Sequence, residues 1–269
     1  MKSRLLVLFL CAAIGWAESR QERGKRVVEE CLAALGGDRY LAMQDRVETG
    51  RAYSFYRDEL SGLSLATIYT RYVTPSGKSL GVRERQSFGT RARREKEQEL
   101  TAVLFTDGAG YQITFRGARP LPDETLERYL DSAPRNIFYM LRLRLKEPGL
   151  TFDYQGSEVL LNQPVDVVDI VDSENRVVTV SFHQSTKFPV RQVFYRRNPK
   201  TKERIEEVTE FGRYREVGGG VSWPFTITRT RDGQKIYEMY SETVAINQSL
   251  SDSLFTLPSD IKILKKERP

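Results

Sequence analysis

The chain has 269 residues, 39% of them hydrophobic and 29% charged, with a formal net charge of +6. This balance excludes a disordered chain and a protein of many membrane spans, and β-rich chains of this length often form one domain. With a single histidine, His183, a site built on several histidine ligands is excluded too.

Lys2 and Arg4 precede an apolar run at residues 5–16, and Gly15, Trp16 and Ala17 put small residues at the two positions a signal peptidase inspects. The run is shorter than the roughly 20 residues a membrane span needs. A signal peptide at 1–17, cleaved after Ala17, is therefore predicted, with a periplasmic mature chain in a bacterial envelope. Its loss removes two positive charges and no negative one, leaving +4. Acylation of Cys11 is the rival route, but Leu10 and Phe9 are bulky where that processing takes small side chains. The mature chain keeps one cysteine, Cys31, so no internal disulfide forms. Cys31 reads either as a reactive thiol or as a small buried residue on a helix.

Residues 22–35 carry Val27, Val28, Cys31, Leu32 and Leu35 at spacings of three and four, the stripe of an amphipathic helix. Gly36 and Gly37 end it, and Asp38 caps a second short turn at 39–43. Strands follow at 46–57, 65–74, 78–88, 99–106 and 110–115, with turns at Pro75, Ser76 and Gly77 and at Asp107 and Gly108. The charge run at 91–97 reads as a solvated hairpin tip; an anionic surface is the other reading, and the interleaved glutamates with the export signal argue against nucleic acid.

Residues 120–149 break the strand series as a helical insertion in a single domain at 18–269. Pro122, Asp123 and Glu124 open one helix; Ser132 and Pro134 open another, whose apolar face carries Ile137, Phe138, Met140, Leu141 and Leu145. From 165 to 247 short alternating segments return. Val178, Val180 and Phe182 share one side of a strand, as do Val221, Trp223, Phe225 and Ile227. Turn residues between them include Ser173 to Asn175, Ser185 to Lys187, Asn198 to Lys200, Gly218 to Gly220, and Asp232 with Gly233. Links this short force antiparallel neighbours, so this half is a β-meander.

Several landmarks in order are shared with a known family. They are Leu35, Gly36 and Gly37 before a short helix and the Val47 strand; Thr186 to Arg191 after a strand; Tyr214 to Pro224; and Ile246 and Asn247 through Asp252, Phe255 and Pro258. In these the chain resembles the LolA/LolB-like exported lipoprotein-carrier superfamily, particularly its outer-membrane lipoprotein-sorting-like members. The resemblance implies a mainly β fold with a few helices (α+β), a strongly curved antiparallel sheet forming an incomplete barrel with its concave face covered by helices. It also implies a periplasmic carrier holding lipid or lipoprotein acyl chains in an apolar cavity, without cofactor or catalysis.

Residues that would line such a cavity are Tyr53 and Phe55, Leu104, Ile113 and Phe115, Phe138 and Leu141, Val180 and Phe182, and Trp223, Phe225 and Ile227. The alternative for each is packing in a closed core, which would leave a non-catalytic envelope scaffold or interaction protein. An enzyme is the third class. A Ser-His-Asp arrangement would have to use His183, which lies at a strand end before a turn, and carboxylate pairs such as Asp166 with Asp169 or Glu206 with Glu207 are ordinary on a sheet. The basic tail from Lys262 to Arg268 favours contact with an anionic membrane surface.

Overall fold

A computed structural model describes residues 18–75, 79–90, 101–198 and 200–266. The signal segment, the turn at Ser76 and Gly77, the 91–97 charge run, Pro199 and Arg268 lie outside the described residues. Ser19 opens α1 (Arg20–Leu35) with a capping box: its hydroxyl accepts from the Glu22 amide at 3.1 Å, and the Glu22 carboxylate accepts from the Ser19 amide at 2.9 Å. Gly36, at φ 126°, ends it, and α2 (Asp38–Leu41) follows. No helix among the described residues is long and apolar enough to cross a membrane.

The described residues then form two antiparallel meanders in one sheet. The first is β1 (Asp45–Tyr56), β2 (Glu59–Tyr72), β3 (Val82–Gly89), β4 (Thr101–Thr106), β5 (Ala109–Thr114) and β6 (Gly117–Pro120). The second is β7 (Thr151–Leu160), β8 (Gln163–Val171), β9 (Val177–His183), β10 (Pro189–Arg197), β11 (Arg204–Glu216), β12 (Ser222–Arg231) and β13 (Gln234–Ile246). They join through β1 and β13, giving the order β6-β5-β4-β3-β2-β1-β13-β12-β11-β10-β9-β8-β7. The sheet does not close, so the incomplete barrel is the architecture observed.

Three strands differ from the sequence reading. β2 begins at Glu59 and β7 occupies a stretch not assigned as strand, because each is entered or left through a two-residue turn with no glycine. Arg57 and Asp58 have φ 53° and 63°, and Leu161 and Asn162 have φ 52° and 60°. Two successive positive φ angles are the mark of a mirror-image hairpin turn, normally written Asn-Gly. β6 has four residues, too few for an alternating pattern. The glycine triplet does reverse as expected, with φ 108°, 58° and 73° at Gly218, Gly219 and Gly220.

Between β6 and β7 runs the crossing segment: α3 (Asp123–Ser132), a 3₁₀ turn (Ala133–Arg135), α4 (Ile137–Tyr139) and a π-helical turn (Met140–Arg144). The main core forms where this segment and α1 meet the second meander, and joins Val28, Cys31, Leu35, Tyr40, Phe138, Met140 and Leu141 to Ile170, Val180, Phe182 and Trp223. Cys31 is fully buried there and its thiol pKa is raised by burial, which is the inert reading of that residue. The tail covers the other end of the sheet. Phe255, fully buried, packs with Leu104, Ala102 and Ile113, and Ile263 bridges Ala118 on the edge strand β6, which blunts that edge.

α1 fastens the opposite edge, β7. Arg20 Nε donates to the Tyr154 carbonyl at 2.9 Å, and Arg23 lies over the Tyr154 ring at 4.0 Å. Gly24 makes this approach possible, since a Cβ there would lie 2.5 Å from the Phe152 carbonyl oxygen. Alanine in place of glycine stabilises an ordinary helix interior by about 1 kcal/mol. At this position Gly24→Ala is expected to do the reverse and destabilise by roughly 1–3 kcal/mol through overpacking. Urea unfolding checks the sign of the change.

Candidate functional site

The two faces of the sheet follow from its register. On β1, Arg46, Glu48, Gly50 and Ala52 are buried while Val47, Thr49 and Tyr53 between them are half-buried. Glu48 pairs with Ile68, and Gly50 with Ala66 and Ser241, so directly opposed residues carry this inner face onto β2 and β13. Its middle is a patch of Ala52, Ala66 and Met239, with Ile68, Phe88, Ile227 and Tyr237 partly exposed around them. Together they form a partly exposed apolar patch on the inner face.

The sheet curls around the crossing segment. Tyr129 on α3 stacks on Phe105 of β4 at 3.6 Å between centroids, while the preceding Arg128 lies within electrostatic reach of Arg231 and Glu207 on β12 and β11. β4 and β11 are six steps apart in the strand order, roughly 29 Å on a flat sheet, yet one helix about 10 Å across meets both. Further along, the Ile137 amide donates to Gln192 Oε1 of β10 at 2.9 Å, and the Tyr139 hydroxyl donates to the Leu80 carbonyl just before β3. Tyr40 Oη donates to the Phe138 carbonyl at 2.7 Å, and Arg142 Nη2 to the Met43 carbonyl at 3.0 Å. These bonds hold α4 shut against the sheet.

The residues proposed from sequence as a lining therefore separate. Phe138, Leu141, Val180, Phe182, Trp223 and Phe225 meet in the main core, each less than a tenth exposed. Phe138 packs at 4.7 Å from Trp223 and edge-on to Phe211 at 5.1 Å. Ile227 is half-buried and touches both this core and the apolar patch. Leu104 and Ile113 lie in another cluster under the tail; their register, opposite Arg85 and Ala102 respectively, sets them on the outer face. Phe115 is 87% exposed in the turn before β6, beside Arg116. Tyr53 falls on the outer face against Tyr240 at 5.8 Å, and Phe55, past a bulge, lies under Lys235. Period-2 alternation separates two faces but does not say which is inside.

Polar groups inside the hollow were not anticipated. Arg46, 7% exposed, lies over the Trp223 ring at 3.9 Å, donates to Thr70 Oγ1 at 3.1 Å and stands 3.7 Å from Glu48. The Glu48 carboxylate accepts from the Ser241 hydroxyl. In sequence these look like the wet side of β1. His183 is half-buried, and its Nδ1 accepts from the Ser185 and Thr186 amides at 3.1 and 3.2 Å, so it caps a turn. Two clefts open on the surface, one of about 500 Å³ lined by Asp131, Arg135, Tyr195, Arg196, Arg197 and Arg204, the other of about 310 Å³ beside Arg51, Tyr53, Arg215 and Phe225.

No protein-family model matches the chain, and no curated protein matches it. Solved structures do. A domain from Vibrio parahaemolyticus bearing the name outer membrane lipoprotein-sorting protein domain aligns with TM-score 0.57 at 13% identity, over 88% of this chain and 97% of that one. A DUF1329 family protein from Desulfovibrio piger aligns with TM-score 0.58 at 12% identity, over 88% and 98%. A LolA superfamily protein from Nitrosomonas europaea aligns at 0.49 and 11% identity, over 87% and 97%. The chain therefore shares its fold with the Vibrio parahaemolyticus and Desulfovibrio piger structures, an open antiparallel sheet with few helices of the kind the sequence landmarks imply.

The end of the crossing segment is anchored by a buried ion cluster. Arg144 Nη2 donates to Asp172 Oδ2 at 3.0 Å, Arg176 Nε donates to the same oxygen at 2.8 Å, and Asp172 is 3% exposed. Burial alone would raise the Asp172 pKa; hydrogen bonds from Arg176 side chain and backbone, and from Arg144, outweigh it and lower the value from 3.8 to about 2. A depressed folded-state pKa means stability that is complete above the ordinary value and is lost as pH falls from 3.8 through about 2. That contribution is roughly 2 kcal/mol. Asp172→Asn is expected to destabilise by roughly 2 kcal/mol at neutral pH, since it removes a shared partner while Arg144 keeps Glu147 and Arg176 keeps Glu174. It is also expected to flatten the acid limb of stability between pH 4 and pH 2, measured by urea unfolding across that range.

Proposed function

We propose that the protein is a non-catalytic carrier or binding protein for lipid or lipoprotein acyl chains, working in the periplasm after export. The observation that carries this reading is the apolar patch on the inner face, where Ile68, Phe88, Ile227 and Tyr237 are partly exposed around Ala52, Ala66 and Met239. The LolA-like fold supports it at the level of architecture. An acyl chain on this patch gains about 0.8 kcal/mol for each methylene removed from water. A second reading, an envelope interaction protein with a closed interior, is favoured by the tight packing of Phe138, Leu141, Val180, Phe182 and Trp223.

Two substitutions separate the readings. Ile227→Glu puts a charge on the apolar patch at a half-buried position, where the carboxylate can still reach water, so it is expected to lower fluorescent fatty-acid affinity at least tenfold and Tm by only a few degrees. Phe182→Glu buries its charge in the closed core, at a residue 1% exposed, and is expected to unfold the protein at room temperature. Titration of a fluorescent fatty acid and thermal melting are measured together. A wild-type protein that takes up no fatty acid, or an Ile227→Glu variant that binds it as well as wild type, contradicts the carrier reading.

A further inference from the structure

We propose that the cleft between the 3₁₀ turn Ala133–Arg135 and the β10–β11 hairpin binds a phosphate-type oxyanion, either free or carried on a lipid headgroup. The cleft exists because β10 outruns its neighbour. The last registered pair between β9 and β10 is Val178 with Phe194, and beyond it the Tyr195 carbonyl accepts instead from Arg135 Nη1 at 2.8 Å. Arg135 thereby fills the notch at the side of the strand.

Four arginines line this space of about 500 Å³, a size usual for small-molecule sites. The one carboxylate among the lining residues, Asp131, is already bonded to Arg135 Nη2 at 2.6 Å. The Arg135 side chain is 9% exposed, and its Nε is buried with no hydrogen-bond partner. Across the β10–β11 ladder Arg197 stands directly opposite Arg204. Like charges face to face across a strand pair destabilise it, and an anion between them removes that cost. The Arg204 guanidinium carbon lies over the Tyr195 ring at 3.5 Å, a contact that helps hold the side chain at the cleft. Arg196 is held in place by Glu207 at 2.8 Å, a carboxylate shared with Arg231 at 2.9 Å.

The chemistry selects a tetrahedral anion. Guanidinium forks offer several N–H donors each, arriving here from the hairpin and from the turn, and a phosphate presents enough oxygens to accept from more than one of them. Desolvation lowers the Arg128 and Arg135 pKa values, and for Arg128 the neighbouring Arg231 and Arg196 charges add to it, as expected where positive charge is crowded. The cleft shares no lining residue with the apolar patch, so the inference does not depend on acyl-chain binding.

The test is the double variant Arg197→Gln, Arg204→Gln, both at exposed positions, against a control of equal charge loss, Lys146→Gln, Lys265→Gln, also exposed. Inorganic phosphate is titrated calorimetrically, and each protein is co-sedimented with phosphatidylglycerol and with phosphatidylcholine vesicles. Wild type is expected to bind phosphate or the phosphatidylglycerol vesicles, with affinity at least tenfold lower in the cleft variant and within twofold in the control. Binding of phosphate alone identifies a free oxyanion; binding of the anionic vesicles alone identifies a headgroup. The proposal is overturned if wild type takes up neither, or if the two double variants weaken binding equally.

Discussion

Everything in this molecule depends on one topological constraint: the two ends of the crossing segment leave from opposite edges of the same sheet. β6 and β7 are the first and last strands of a thirteen-strand order. Laid flat, those edges would stand roughly 58 Å apart, and the 10-residue helix α3 advances only about 15 Å. Curling the sheet shortens the path and gives the apolar faces of the segment something to bury against. The hydrogen bonds from Ile137 to Gln192 and from Tyr139 to Leu80 are the direct record of that curl, since two residues of α4 reach β10 and the approach to β3, strands six steps apart.

The same constraint sorts the inner face into zones. Where α4 and α1 lie on the second meander, large side chains fill the hollow, and Phe138, Phe182 and Trp223 have no freedom left for a ligand. Where the first meander meets β13, the inner positions are Gly50, Ala52 and Ala66; β13 lies so close that a Cβ at Gly50 would stand 2.1 Å from the Tyr240 carbonyl oxygen, and the alanines are covered by larger, partly exposed apolar side chains. Arg46 and Glu48 stand at the border between these zones, each tied to a neighbour so that neither charge is buried alone. Closed packing on one side and a partly exposed apolar patch on the other are thus two outcomes of one crossing.

Much of the fold is legible in the sequence because its signals are local. The stripe from Val27 to Leu35 fixes α1, and the alternation around Val180 and Trp223 with glycine or aspartate at the turns fixes most of the second meander. β7 escaped because its hairpin with β8 turns through Leu161 and Asn162, a pair whose positive φ is imposed by the strands rather than announced by glycine. The site was less legible. Tyr53 looks like a lining residue and Arg46 like a solvated one, and the structure exchanges them, since a single strand cannot say which of its faces the rest of the chain will cover. Leu104 and Ile113 are buried as their hydrophobicity demands, but by the tail, more than a hundred residues further along the chain.

The central claim is that an acyl chain lies on the inner face at the border of the two meanders. Proton cross-relaxation between a bound fatty acid and methyl-labelled protein tests it most directly. The account predicts cross-peaks from the chain methylenes to the Met239, Ile227 and Ile68 methyls, with none to Leu104 or Ile113 under the tail. Cross-peaks confined to the outer-face methyls, or none in protein saturated with fatty acid, would contradict it.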